Sequence, residues 1–211
     1  GKDQTADLWT DEDVCYTWQN GAEVKLEDCG KTPIENVVVE DIPQLDVNKP
    51  MYNVLGQQVN VNYIGIIIQN GKLAMQCSAN GEYKIPGGGM EQGEKLLDTL
   101  IREVREETGL LVKAETVLEL GEMKEVRRDI FDKKQKYICH SYFYYCEVEA
   151  ETVPLQLTES EMRKGYHFVW ATPEEIIEAN EKLGKDAWIS RDTAFIRMLA
   201  DNRFAELGHK F

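Results

Sequence analysis

Three glutamates, Glu103, Glu106 and Glu107, stand at a spacing that would place them on one face of a helix. Carboxylates that are neighbours on a helix repel one another by a few tenths of a kcal/mol per pair. A divalent cation between them would turn this repulsion into binding, since Mg²⁺ and Mn²⁺ prefer carboxylate oxygens. The spacing therefore predicts a metal site, although a run of acids is more commonly a solvated surface.

The residues before these acids form a loop that would let a ligand approach the backbone. The loop reads Pro86-Gly87-Gly88-Gly89, and glycine tolerates both close contact and positive φ. The carbonyl of Gly87 would be able to complete a metal shell. The loop opens onto a predicted helix N-terminus, where peptide N–H groups and the helix dipole favour phosphate oxygens.

A helix over residues 94–108 would carry the acids. Its apolar residues recur at helical spacing away from the acids and would anchor the helix to a sheet; they are Leu97, Leu100, Ile101 and Val104. Gly109 is suited to end the helix. We expect the acidic face to be exposed, so that Glu107→Gln would cost little stability.

The rest of the chain alternates between strand and helix patterns. Strands are predicted over residues 59–69, 72–77, about 112–125, about 136–149 and 166–170, and helices over 173–183 and about 189–205. This order predicts an α/β sandwich, a mixed sheet with helices packed on it. Residues 1–58 have no strong period. They are interpreted as an N-terminal appendage with one or two short strands, including a β-like run at residues 37–39, and residues 59–211 as the main domain.

The net charge of −14 argues against a nucleic acid polymer as partner. No apolar run is long enough for a membrane span, and the polar, acidic N-terminus does not resemble a secretory signal. Five cysteines without a CxxC spacing favour neither zinc nor a disulfide framework, although a Cys15–Cys29 bridge remains an alternative. We therefore expect a cytoplasmic protein with no membrane partner.

The segment from Gly88 to Leu110 resembles the box of the Nudix hydrolase family. The family pattern is Gly, five residues, Glu, seven residues, Arg-Glu, an aliphatic, any residue, Glu-Glu, any residue, Gly and an aliphatic. The matching positions are Gly88, Glu94, Arg102, Glu103, Val104, Glu106, Glu107, Gly109 and Leu110. With typical residue usage, a chance match in this chain has a probability on the order of 10⁻⁸. The resemblance implies a Nudix-type α/β/α sandwich over residues 59–211.

The resemblance also implies roles for these residues. The box acids Glu103, Glu106 and Glu107 would hold Mg²⁺ or Mn²⁺ with help from the Gly87 carbonyl. Arg102 would orient the acids, and Glu94 would brace the junction of loop and helix. Family members often recruit one more acid as ligand or general base; the candidates are Glu159 and Glu161, with Glu147 and Glu149 weaker.

The activity implied is metal-dependent hydrolysis of a phosphoanhydride bond in a nucleoside diphosphate linked to a further group, or in a nucleoside triphosphate. The stretch before and into the box resembles the MutT-like group, and Glu125 stands where ADP-ribose enzymes carry Pro. Arg127 and Arg128, in a basic stretch over 124–136, would attract substrate phosphates, although a solvent-exposed loop is the more ordinary interpretation. The rival function is a nucleotide sensor that does not cleave, but such domains commonly lose box acids, and all are kept here.

Residues 1–58 lie outside the resemblance. They would serve as a lid, as a contact in a homodimer, or as a cap that selects the substrate.

Overall fold

The computed structural model describes residues 14–19, 24–26, 51–52, 58–91, 93–128, 136–183, 187–204 and 207. The strands, in chain order, are β1 (Val14–Gln19), β2 (Val24–Leu26), β3 (Met51–Tyr52), β4 (Gln58–Ile66), β5 (Ile68–Gln69), β6 (Lys72–Cys77), β7 (Tyr83–Lys84), β8 (Gly87–Gly88), β9 (Leu110–Val112), β10 (Leu118–Arg128), β11 (Lys136–Tyr145), β12 (Val148–Thr152) and β13 (His167–Ala171). The helices are α1 (Leu96–Thr108), α2 (Glu159–Lys164), α3 (Pro173–Leu183) and α4 (Ala187–Ala200).

The largest sheet has the order β2-β1-β10-β11-β4-β3, and β8 pairs with β4 beside β3. The pair β11–β4 is parallel, and the other pairs of this sheet are antiparallel, so the sheet is mixed as predicted. A second sheet runs β13-β6-β5 with β7 paired to β6, and β12 pairs with β9.

Two apolar cores lie on opposite faces of these sheets. Leu100 and Val104 of α1 pack in one core with Tyr63 and Ile67. The helices α3 and α4 pack in the other core, which contains Ile64 and Ile66 of β4. Because the second half of β4 is covered on both faces, residues 63–66 form a continuous apolar run, as buried strands often do. The chain therefore forms the predicted α/β/α sandwich.

Asn70 and Gly71 form the hairpin turn between β5 and β6, since both residues have positive φ, of 52° and 75°. The predicted strand over 59–69 is divided into β4 and β5 at Ile67, whose carbonyl accepts a hydrogen bond from the Ala74 amide at 3.0 Å.

Three predicted strand ends were wrong. The strand predicted over about 112–125 is divided, because β9 ends at Val112 and β10 begins only at Leu118. β10 continues to Arg128, because β1 pairs with it over residues 122–127. β11 ends at Tyr145, and the chain then enters β12, which pairs with β9. The helix predicted over 173–183 is confirmed, and the last helix spans Ala187–Ala200, so it begins and ends earlier than predicted.

The segment before residue 59 contributes β1 and β2 to one side of the largest sheet and β3 to the other. The β-like run at residues 37–39 lies outside the described residues, as does Cys29. Cys77, Cys139 and Cys146 are free thiols. None of the described helices is both long and apolar enough to cross a membrane.

Candidate active site

The helix α1 begins at Leu96, two residues later than predicted, and Glu94 holds the loop before it. The Glu94 carboxylate accepts hydrogen bonds from the Glu91 amide and the Thr99 hydroxyl, both at 2.9 Å. At its other end α1 stops at Gly109, which has φ of 73°, and a Cβ there would lie 2.3 Å from the Val153 carbonyl oxygen. Both the conformation and the space therefore require glycine.

Arg102 joins three of the box acids. Its Nε and Nη2 donate to the two oxygens of Glu94 at 2.6 and 2.9 Å. Its Nη1 donates to Glu103 at 2.8 Å and to Glu106 at 3.2 Å, and Nη2 also donates to the Gly89 carbonyl at 3.0 Å. We name Glu94, Arg102, Glu103 and Glu106 the Arg102 cluster. The planar guanidinium is suited to this task because its donors are fixed relative to one another.

The loop backbone lies directly against Glu103. A Cβ at Gly88 would stand 2.5 Å from Cδ of Glu103 and 2.6 Å from both of its oxygens, so the carboxylate occupies the space that a side chain would fill. Burial raises the pKa of Glu103, while Arg102 opposes that shift. An anion held in this way favours a neighbouring positive charge.

Glu107 is buried, with 3% of its surface exposed, so the prediction of an exposed acidic face was wrong at this residue. Its Oε1 accepts from Nζ of Lys84 at 2.5 Å, and its Oε2 accepts from the Gly87 amide at 2.7 Å. Burial raises the pKa of the Glu107 carboxyl above its usual range, and Lys84 only partly offsets this. The Glu107 carboxylate in turn raises the pKa of Lys84 despite desolvation, so Lys84 keeps its charge at neutral pH.

Glu161 reaches the same place from the short helix α2, which the sequence interpretation missed. Thr158 and Glu161 form a capping box at its N-terminus. Glu161 stands 3.8 Å from Nζ of Lys84 and interacts with the Glu107 carboxyl group. Although burial raises the pKa of Glu161, the Thr158 backbone and Glu107 lower it overall. We name Lys84, Glu107 and Glu161 the Lys84 cluster.

The other sequence candidates lie elsewhere. Glu159 is exposed at the start of α2, and Glu149 is exposed on β12, 3.9 Å from Nζ of Lys113. Glu147 is exposed and accepts from the Tyr145 hydroxyl at 3.5 Å. Arg127 and Arg128 are the last residues of β10 rather than part of a turn, and residues 129–135 lie outside the described chain.

The sequence interpretation did not single out Lys84 or Gln76. Gln76 is fully buried and stands opposite Lys84 in the β6–β7 pair. One signal was available for Lys84. It is a charged residue that stands between Tyr83 and Ile85, just before the glycine loop, where its neighbours are apolar or aromatic. No comparable signal marks Gln76, since a polar residue at the end of a strand is ordinary.

The oxygen donors of both clusters match the preference of Mg²⁺ and Mn²⁺. Across the described residues, no three His, Cys, Asp or Glu side chains are grouped in a way that could hold an ion. The side chains instead form two parts, with Arg102 joining Glu103 and Glu106 and Lys84 joining Glu107 and Glu161. The site therefore contains suitable ligands that are at present paired with the protein's own cations.

The fold is an α/β/α sandwich with an acid-lined α1, and sequence comparison gives its family. The model of the NUDIX domain matches residues 59–192, well over half of the chain. The chain belongs to the NUDIX family and is one of its hydrolases, enzymes that act on derivatives of nucleoside diphosphates. No curated protein sequence matches the chain.

Solved structures show the same fold at low sequence identity. A NUDIX hydrolase from Nitrosomonas europaea is 17% identical, with a TM-score of 0.50, and the match covers 68% of this chain and 90% of that one. The E. coli ORF135 protein is 19% identical, with a TM-score of 0.50, and the match covers 72% of this chain and 96% of that one. Both matches span nearly the whole of the other protein, so the Nudix fold is present in full.

Proposed function

We propose that this chain uses Mg²⁺ or Mn²⁺ to hydrolyse a phosphoanhydride bond in a nucleoside diphosphate linked to a further group, of which a nucleoside triphosphate is the simplest case. The observation that carries the proposal is the meeting of Glu161 with Glu107 on the helix that also bears Glu103 and Glu106. If the acids of this helix were only a solvated surface, nothing would require a fourth acid from a distant segment to lie against them.

Glu103, Glu106, Glu107 and Glu161 would hold the cation, with the Gly87 carbonyl as a further ligand. The burial of Glu103 and Glu107 supports this assignment, because a desolvated carboxylate gains more from a cation than a solvated one does. A bound cation would screen the charge on the pyrophosphate and make water easier to deprotonate.

The chain's own residues would then hold the acids in position and accept a proton from the attacking water. Arg102 fixes Glu103 and Glu106 relative to the loop, and Glu94 fixes Arg102. Water attacks one phosphorus, the bridging P–O bond breaks, and the second phosphate group leaves with that oxygen. A carboxylate of the site would take the proton from the water.

Arg127 and Arg128 would attract the substrate phosphates from the end of β10. Residues 1–58 would limit which substrates reach the site, because β1 pairs along β10 up to Arg127.

The test is a panel of nucleoside triphosphates and nucleoside diphosphates linked to sugars, nucleosides or phosphate, incubated with Mg²⁺ and assayed for released phosphate groups. We expect turnover of at least one class, with Glu103→Gln reducing it by about 10²-fold or more. The matched control is Glu115→Gln, an exposed acid beyond the box, which should leave turnover unchanged.

Saturable nucleotide binding by calorimetry without turnover of any panel member would instead support the sensor. Thermal stabilisation by Mg²⁺ that is lost in Glu103→Gln would support the metal site independently of turnover.

A further inference from the structure

Lys84 already occupies the position of a cation between two acids proposed to hold the metal. Its Nζ lies 2.5 Å from Oε1 of Glu107 and 3.8 Å from Oε1 of Glu161. The second oxygen of Glu107 accepts from the Gly87 amide at 2.7 Å. Both oxygens of Glu107 are thus engaged, so a divalent cation would have to share them with an ammonium group or displace it.

Gln76 is an unpartnered polar side chain directly beside Lys84. It is 0% exposed, and neither Nε2 nor Oε1 has a hydrogen-bond partner among the described residues. Gln76 and Lys84 face each other in the antiparallel pair β6–β7, so their side chains project from the same face with Cβ atoms about 5 Å apart. That face packs against α1, because Ala74, two residues earlier on β6, lies in the same core as Leu100 and Val104.

A buried amide without partners destabilises the fold, and such groups call for an explanation. An apolar residue of similar size at position 76 would avoid the cost. The amide oxygen is an acceptor of the kind that an ammonium group needs, and it lies within reach of a lysine side chain on the neighbouring strand.

We infer that Lys84 competes with the divalent cation for Glu107 and Glu161, and that Gln76 receives the Lys84 ammonium group when the cation displaces it. The inference rests on the proposed function, because it assumes that these acids bind a metal. Lys84 keeps the two acids together and offsets part of their negative charge until a divalent cation arrives. Gln76 then provides the displaced charge with an acceptor, so that the exchange does not leave a buried ammonium group unpaired.

The experiment is a double-mutant cycle read out by calorimetric binding of Mn²⁺ to the full chain. The variants are Lys84→Met, which keeps the apolar stem, Gln76→Met, which keeps the length, and the two combined. Lys72→Met, an exposed lysine on β6, is the matched control for loss of a positive charge.

We expect Lys84→Met to tighten Mn²⁺ binding by about tenfold or more, because a competing charge is removed. We expect Gln76→Met to weaken binding by about tenfold when Lys84 is present and to have no effect in the Lys84→Met background. Lys72→Met should bind as the unaltered chain does. Gln76→Met should melt no lower than the unaltered chain in the presence of EDTA, since it removes an unsatisfied amide.

Equal effects of Gln76→Met in both backgrounds, or none in either, would overturn the inference. If Lys84→Met does not fold, Gln76→Met alone decides, and Mn²⁺ binding in that variant equal to that of the unaltered chain would overturn the inference. An unchanged Mn²⁺ affinity in folded Lys84→Met would also overturn it. If the unaltered chain hydrolyses nucleotides and binds Mn²⁺ while the cycle is additive, only this inference fails. If neither the unaltered chain nor Lys84→Met binds Mn²⁺, the metal assignment of the proposed function fails with it.

Discussion

The Arg102 cluster and the Lys84 cluster hold acids of the same helix in different ways. Arg102 spreads its donors over three acids at the protein surface, where the Glu106 side chain is 27% exposed. Lys84 supplies one charge to a pair of acids, and the Glu107 side chain is only 4% exposed. Glu106 and Glu107 are adjacent in sequence but therefore differ in what they contribute to the stability of the fold. Glu106 belongs to a partly solvated network, where each ion pair adds little stability, and Glu107 to a buried pair, where loss of one partner is costly.

Replacing the two neighbours by glutamine should separate activity from stability, and this is the largest expected effect. Both Glu106→Gln and Glu107→Gln should lose about 3–4 kcal/mol of transition-state stabilisation, which is about 10²–10³-fold in kcat. Only Glu107→Gln should also lose about 3 kcal/mol of unfolding free energy, because Lys84, in a mostly buried place, loses its charged partner at 2.5 Å and is left with Glu161 at 3.8 Å. Glu106→Gln should lose less than about 1 kcal/mol.

Steady-state turnover and denaturant unfolding measure the two quantities. Glu115→Gln serves as the reference, with both quantities near those of the unaltered chain. Equal unfolding free energies for Glu106→Gln and Glu107→Gln would show that the burial of Glu107 does not add to stability. The Arg102 and Lys84 clusters would then not differ in what they contribute to the fold.

Arg102→Lys should have an intermediate effect, because it keeps the charge but not the geometry. A lysine is a single point charge and cannot reproduce the paired bonds to Glu94 together with those to Glu103 and Glu106. We expect a loss of about 2 kcal/mol in kcat/KM, roughly thirtyfold, with the fold retained. The measurement is kcat/KM beside a melting curve, and activity within twofold of the unaltered chain would mean that charge alone suffices at this position.

The smallest effect concerns Glu94 and pH. The hydrogen bonds from Arg102 lower the pKa of Glu94 to about 2, from an ordinary value of 4.5. A carboxylate whose pKa is lower in the folded state stabilises the fold above the unfolded pKa and loses that effect as pH falls through the folded pKa. The advantage of the unaltered chain over Glu94→Gln should therefore be about 1–2 kcal/mol above pH 5, allowing for solvent screening, and should vanish towards pH 2.

Urea unfolding of both proteins between pH 7 and pH 2 would show this dependence. A stability difference that stays constant across the pH range would show that Arg102 does not stabilise the ionised Glu94 carboxylate. Only the Glu107 variant would then distinguish the two clusters.

The box and its helix could be predicted because their signals are local. Leu100 and Val104 recur at the helical period, and Gly109 marks the end, so α1 required no knowledge of its neighbours. The family resemblance extended this to the sandwich, which the fold bears out. The start of α1 was missed by two residues because Glu94 lies in the loop before the helix, where it is held by the Glu91 amide and the Thr99 hydroxyl, and not in the first turn.

What escaped prediction depends on distant segments. The sequence places Glu106 and Glu107 side by side, but only the approach of β7 and β8 makes one of them buried. The helix α2 has six residues, too few for a periodic signal, although Thr158 and Glu161 carry the capping pattern. The end of strand β10 was predicted too early, because its extension to Arg128 depends on pairing with β1, more than a hundred residues earlier in the chain.

The outer strands of the largest sheet are short. β2 has three residues and β3 has two, and both come from the segment before residue 59. Short edge strands offer few free backbone groups to another molecule, which limits edge-to-edge aggregation. Removal of residues 1–58 would uncover the backbone of β10 over residues 122–127, where β1 now pairs. A truncated protein would thus present a longer exposed edge strand, so the N-terminal segment would limit aggregation by pairing with β10.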